Sequence, residues 1–148
     1  MTSPVPGGRP PSKAVATWLA LVGGSLGAHR FYLHGMRDRW AWLHPLPTLI
    51  GAYGFWRMRE FGVDDARGAL LVPLLGLMLA TTMLQAIVYG LMSDQRWATR
   101  HGGTAASAER AWPTYVAVVV ALAVGTSIAV ATIAFTAQRY FESRAEVR

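Results

Sequence analysis

Gly27-Ala28-His29-Arg30-Phe31-Tyr32-Leu33-His34-Gly35 closes the first apolar run of the chain. It is a polar and aromatic knot in a place where hydrocarbon penalises Arg and His, so such groups are normally placed for a reason. The uncharged run before it, Ala14–Ala28, has 15 residues. As a helix it reaches about 22 Å, short of the ~30 Å hydrocarbon core of a bilayer. Continuing the helix through His29-Arg30-Phe31-Tyr32-Leu33 makes it long enough. The arithmetic predicts one helix from residue 14 to about 33 with Arg30 in its last turn, where a cation suits the helix dipole and can snorkel. Gly35 is the expected stop. Gly23 and Gly27 stand four apart, a small-residue face suited to close helix contact in lipid.

Upstream, residues 1–13 hold Pro4, Pro6, Pro10 and Pro11 among Gly and Ser, and read as a flexible tail. A basic start, an apolar run and Ser25-Leu26-Gly27 would also suit a cleaved signal peptide; a retained span is the preferred reading. Downstream, Trp40–Trp56 lies between Arg39 and Arg57. It reads as a short second span whose His44-Pro45-Leu46-Pro47 start delays the helix, so residues 14–56 form a helical hairpin. Residues 57–67 are a charged connector, and residues 68–92 are an uncharged third span containing Pro73. Residues 93–111 read as a polar loop. The fourth span covers residues 112–137, with Pro113 in its first turn; residues 138–148 are a charged tail.

The whole composition agrees. The 148 residues are 53% hydrophobic and 15% charged, against about 25% charged in soluble domains. The fold class expected is an all-α integral membrane protein of four helical segments, the first two a short hairpin. Cysteine is absent, which excludes disulfides, thiol nucleophiles and cysteine metal sites. The net charge is +6, but Arg is scattered through every inter-helix segment. That suits anionic head groups better than nucleic acid.

The knot also carries a resemblance. Ser12-Lys13 before the first helix, the Gly-rich end Gly23-Gly24-Ser25-Leu26-Gly27-Ala28, and His29, Arg30, Phe31, Tyr32, Leu33 and Gly35 resemble the signature of the TM-two domain family. These are small membrane proteins with two helices joined by a short loop. The likeness spans roughly residues 12–56. It departs at His34, where Gly is usual, and at Arg57, where an acidic residue often follows the aromatic end. The resemblance implies a membrane-resident protein acting through partners, and no catalytic mechanism.

His29, Arg30, Tyr32 and His34 could bind an anion or relay protons, since Arg offers a donor fork and His titrates near neutrality; interfacial anchoring explains the same residues more simply. His29, His34 and His44, with Asp38, have no recognised metal-ligand spacing, so no metal is expected. Asp64-Asp65 stand among Arg57, Arg59 and Arg67 and read as a solvated ion-pair loop. Thr81, Thr82 and Gln85 read as interhelical or back-bonding groups rather than a conduit. Ala121, Gly125 and Ala129 read as helix-packing contacts. There is no phosphate loop, dinucleotide fingerprint, H-E-x-x-H or nucleophile elbow.

The expectation is therefore a non-enzymatic accessory, scaffold or regulatory membrane protein without a cofactor. Its partners would be the lipid bilayer and another membrane protein or a second copy. The alternative is a small oligomeric channel or transporter. The location expected is a bacterial inner membrane. With four spans, the N-terminal tail, the 57–67 connector and the C-terminal tail would share one side.

Overall fold

A computed structural model of the chain describes residues 10–102 and 111–145. The described residues form seven α-helices and one 3₁₀ turn, with no strand. They are α1 (Lys13–Gly23), the 3₁₀ turn Gly24–Leu26, α2 (Ala28–His34), α3 (Arg39–Leu43), α4 (Pro45–Phe61), α5 (Ala66–Leu91), α6 (Asp94–His101) and α7 (Ala111–Ala145). The all-helical class stands. The four-segment count does not, because the first two segments are each divided and a short helix occupies the expected 93–111 loop.

Helix α5 is the hub, packed against α1, α4 and α7. Its start is fixed by Asp65, whose side chain accepts from the Gly68 N–H at 2.7 Å. Pro73 lies inside the helix without ending it. At 26 residues, α5 is about 39 Å long. Helix α7 runs antiparallel to it. Thr114 lies beside Gly90, Gly125 beside Met83 and Thr132 beside Gly76. The charged tail continues α7 as a helix to Ala145. Gln138 and Arg139 both bond Glu142 there, and Arg144 reaches Tyr140, so neighbouring turns hold one another.

The other side of α5 is covered in two halves. Gly51 of α4 meets Leu75, and Gly54 meets Leu71. Thr17 of α1 meets Gly90, and Gly24 meets Thr82. Helices α4 and α1 thus lie end to end along α5, each antiparallel to it. Their 17 and 11 residues together match the 26 of α5. The first expected span does not have its expected form, and the second has the delayed helix start expected at His44-Pro45. The first is cut at Gly24–Gly27, and the second begins as α3 and restarts at Pro45, which occupies the first turn of α4. The restart continues to Phe61, so only Gly62–Asp65 remains of the expected 57–67 connector. The expected 93–111 loop contains α6, capped by Ser93; residues 103–110 of it, and residues 1–9 of the N-terminal tail, lie outside the described residues.

The two ends of the bundle are chemically marked. At one, Lys13 pairs with Asp94, and the Trp97 indole donates to the Pro11 carbonyl at 2.9 Å. At the other, Arg139 lies 3.7 Å from Asp64. The start of α1 and the end of α7 are therefore at opposite ends, which corrects the expectation of a shared side. The physical reason is that α1 turns back at mid-bundle and does not cross.

The core is built from small residues. Ala20, Met83, Ala86 and Ala121 form one buried cluster; Ala16, Met92 and Trp97 form another, with Leu33 and Tyr89 against it. Small side chains allow close backbone approach, which is how helices associate where lipid removes the hydrophobic drive.

Candidate functional site: the broken hairpin and its polar node

The break is made by glycine. Gly27 has φ +79°, and a Cβ there would stand 2.5 Å from the Ala41 carbonyl oxygen, so both the left-handed backbone and the close approach require Gly. A Cβ on Gly24 would stand 2.7 Å from that of Thr82, and one on Gly23 would stand 2.9 Å from that of Ala28. The Gly23/Gly27 spacing is thus a turn signature, correcting the expectation of a helix face. The Thr48 hydroxyl donates to the Ser25 carbonyl at 2.7 Å and ties the turn to α4.

After the turn, α2 runs back along α1. The Ser12 N–H donates to the Tyr32 hydroxyl at 2.9 Å, and Leu33 packs on the cluster of Ala16, Met92 and Trp97. Gly35 ends α2, its N–H bonded to the Phe31 carbonyl at 2.9 Å, as expected. Phe31 meets Trp42 edge-on at 5.3 Å.

Arg30 is the third residue of α2 and not the end of a long helix. Its Nε donates to Asp38 Oδ2 at 2.9 Å, and His34 Nδ1 lies 3.8 Å from the same oxygen. Asp38 also caps α3, accepting from the Trp40 N–H at 3.0 Å. Burial pushes the Asp38 carboxyl up, but the Arg30 and Trp40 hydrogen bonds and the Arg30 charge hold it below its usual range. Asp38 was weighed in the sequence only as a metal ligand. Its spacing of eight from Arg30 carries no helical signal, because the pair meets across a loop.

His29 is fully buried. Its ring lies 5.5 Å from that of His44 and 5.9 Å from that of Tyr89. Neither ring nitrogen has a hydrogen-bond partner among the described residues, and neither does the buried Oε1 of Gln85, which lies beside the ring. His44 Nδ1 stands 2.8 Å from the Trp40 carbonyl and carries its proton toward it. The hairpin therefore brings His29, His44, Gln85 and Tyr89 into one node beside the last two turns of α5, in the half of the bundle that bears α6. Among the described residues no cluster of three or more His, Cys, Asp or Glu side chains could hold a metal.

The remaining candidates have structural partners. Thr81 and Thr82 bond back to the carbonyls of Leu77 and Leu79. Asp65 takes two bonds from Arg57, at 2.9 and 2.8 Å. Those bonds, with the Gly68 N–H, hold its carboxyl down at about 2. Ala121 is buried, Ala129 is half-buried, and a Cβ on Gly125 would stand 2.7 Å from that of Met83. Sequence reading missed Gly51, Gly54 and Gly90, which make comparable close approaches. Their spacing along α4 and α5 was the available signal.

Helices α5 and α7 are long and apolar enough to cross a bilayer, and only 17% of each apolar stretch is buried within the fold. With the broken hairpin packed beside them, they define a helical membrane protein. Residues 9–61 match the family model of the TM2 domain. The matched stretch ends with α4 at Phe61. No curated protein and no solved structure matches the chain.

Proposed function

We propose that the chain is a non-catalytic integral membrane protein of a bacterial inner membrane, an accessory, scaffold or regulatory partner of another membrane component. The observation that carries this reading is the exposure of large apolar side chains around α5 and α7, among them Leu70, Leu77, Val119 and Ile133. Such faces need lipid or another apolar helix. The small-residue core shows how this chain achieves contact, through close backbone approach, and a partner helix would be met in the same way. Purification in mild detergent followed by mass spectrometry of co-purifying chains is the test. A stoichiometric membrane protein supports the reading, and recovery of this chain alone overturns it.

A second reading, a small oligomeric channel or transporter, has one observation in its favour. The unpartnered His29 nitrogens and Gln85 Oε1 meet beside the break between α1 and α2, and discontinuous helices commonly line substrate sites in transporters. Ion flux from liposomes holding the purified chain would favour it.

A further inference from the structure

The two ends of the bundle differ in charge. The end bearing α6 gathers Lys13, Arg30, Arg37, Arg39, Arg96 and Arg100 against two acids, Asp38 and Asp94, an excess of four among the described residues. The opposite end has Arg57, Arg59, Arg67, Arg139 and Arg144 against Glu60, Asp64, Asp65 and Glu142, an excess of one. Three chain segments far apart in sequence make the basic end. Leu33 and Trp97 share a cluster, which brings the α2–α3 loop beside α6, and Lys13 reaches Asp94.

The pairing pattern sharpens this. Both acids at the basic end are engaged, Asp38 by Arg30 and Asp94 by Lys13. Arg37, Arg39, Arg96 and Arg100 are exposed and form no ion pair with any described residue. Arg96 and Arg100 share one face of α6, because Trp97 is turned inward at 6% exposure. Next to Arg37 and Arg39 stand Trp40 and Trp42, exposed to 65% and 61%. Outward indoles beside unpaired arginines match the chemistry of the bilayer boundary, where the ring sits among head groups and the guanidinium meets phosphate.

We propose that this end of the bundle is a recognition face for anionic phospholipid head groups, formed by Arg37, Arg39, Arg96 and Arg100 with Trp40 and Trp42 as its aromatic rim. The proposal rests on the membrane placement given above and not on the identity of any protein partner. Forked guanidinium groups bind phosphate in a bidentate manner, and each Lys or Arg in a basic segment adds to its attraction to an anionic surface.

The test uses the full chain in nanodiscs of mixed phosphatidylglycerol and phosphatidylcholine, with retained lipid counted by native mass spectrometry on release into detergent. The variants are R37Q/R39Q/R96Q/R100Q and, at the other end, R59Q/R67Q. Wild type should retain phosphatidylglycerol over phosphatidylcholine. The quadruple variant should lose that preference by at least about five-fold, and R59Q/R67Q should keep it. Raising salt should release the lipid from wild type without a variant, which covers a quadruple variant that fails to fold. Equal retention in wild type and the quadruple variant, or equal loss in both variants, would overturn the proposal. So would a co-purifying acidic protein lost from the quadruple variant while its lipid retention stays unchanged. Failure of the partner search leaves these lipid outcomes intact, so the two readings fail separately.

Discussion

The Ser12 amide donates a 2.9 Å hydrogen bond to the Tyr32 hydroxyl, 20 positions along the chain. The end of α2 is thereby fastened to the start of α1, and the residues between them go to mid-bundle and return. This contact fixes the topology of the N-terminal half.

Reporters fused to the two termini should therefore report opposite sides of the membrane. The basic end has the excess of arginine, so the positive-inside rule places the N-terminus in the cytoplasm. Compartment-specific enzyme reporters at each end check this. Activity on the same side for both would mean that α1 crosses the bilayer after all.

Gly27→Ala should destabilise the fold by about 1–2 kcal/mol from the left-handed backbone alone, and more from the Ala41 carbonyl against its Cβ. Gly125→Leu should be damaging too, because Met83 occupies the space. Leu at the exposed position Ala131 keeps the span apolar and should be neutral. Thermal unfolding in detergent compares the three; equal melting temperatures would refute the close packing.

Arg30→Ala should lower protease resistance and membrane level more than Arg37→Ala or Arg39→Ala, because only Arg30 of the three holds Asp38. Asp38→Asn should reproduce much of the loss. The double variant should cost less than the two single losses combined, with a coupling on the order of 1 kcal/mol. Strict additivity would show the pair to be incidental.

Asp65 gives the α4–α5 corner an acid limit. Its folded carboxyl titrates at about 2 against an ordinary 3.8, so its contribution is complete above that ordinary value and is lost as pH falls from there through about 2. Limited proteolysis between α4 and α5 should rise across that window. Arg57→Ala should raise cleavage already at neutral pH and flatten the rise across that window, since Arg57 supplies two of the bonds that hold the carboxyl down. A pH profile unchanged by the substitution would discard this account.

His29→Leu should leave the melting temperature in detergent unchanged or raise it. It replaces buried nitrogens that have no described partner with apolar bulk, a change that is often neutral or favourable. A large loss of stability would show that the node is satisfied through His29. Loss of liposome flux with stability intact would favour the channel reading.

The long spans were legible because neither charge nor turn chemistry interrupts them: Pro113 lies in the first turn of α7 as expected, and Pro73 lies inside α5 without ending it. The Gly35 stop was legible from its composition. The broken first helix was not. Gly23 and Gly27 serve a lateral contact if the helix continues and a turn if it ends, and one-dimensional spacing does not distinguish them. The length argument then chose continuation, since it assumed that each apolar run must cross. Asp38 stayed hidden as the partner of Arg30 because their contact depends on the reversal of α2. Helix α6 stayed hidden because its one buried apolar anchor, Trp97, sits among polar residues and leaves no periodic stripe.

The end-to-end placement of α1 and α4 has a consequence for biogenesis. A helix of 11 residues is too short to be held across a bilayer by itself, so α1 has no stable seat of its own when it leaves the ribosome. Its seat is the second half of α5, around Thr82 and Gly90, which is synthesised after the whole of the matched domain has left the ribosome. The N-terminal domain is thus an obligate client of a helix outside it. Truncation after residue 61 should leave α1 and α2 without their resting place.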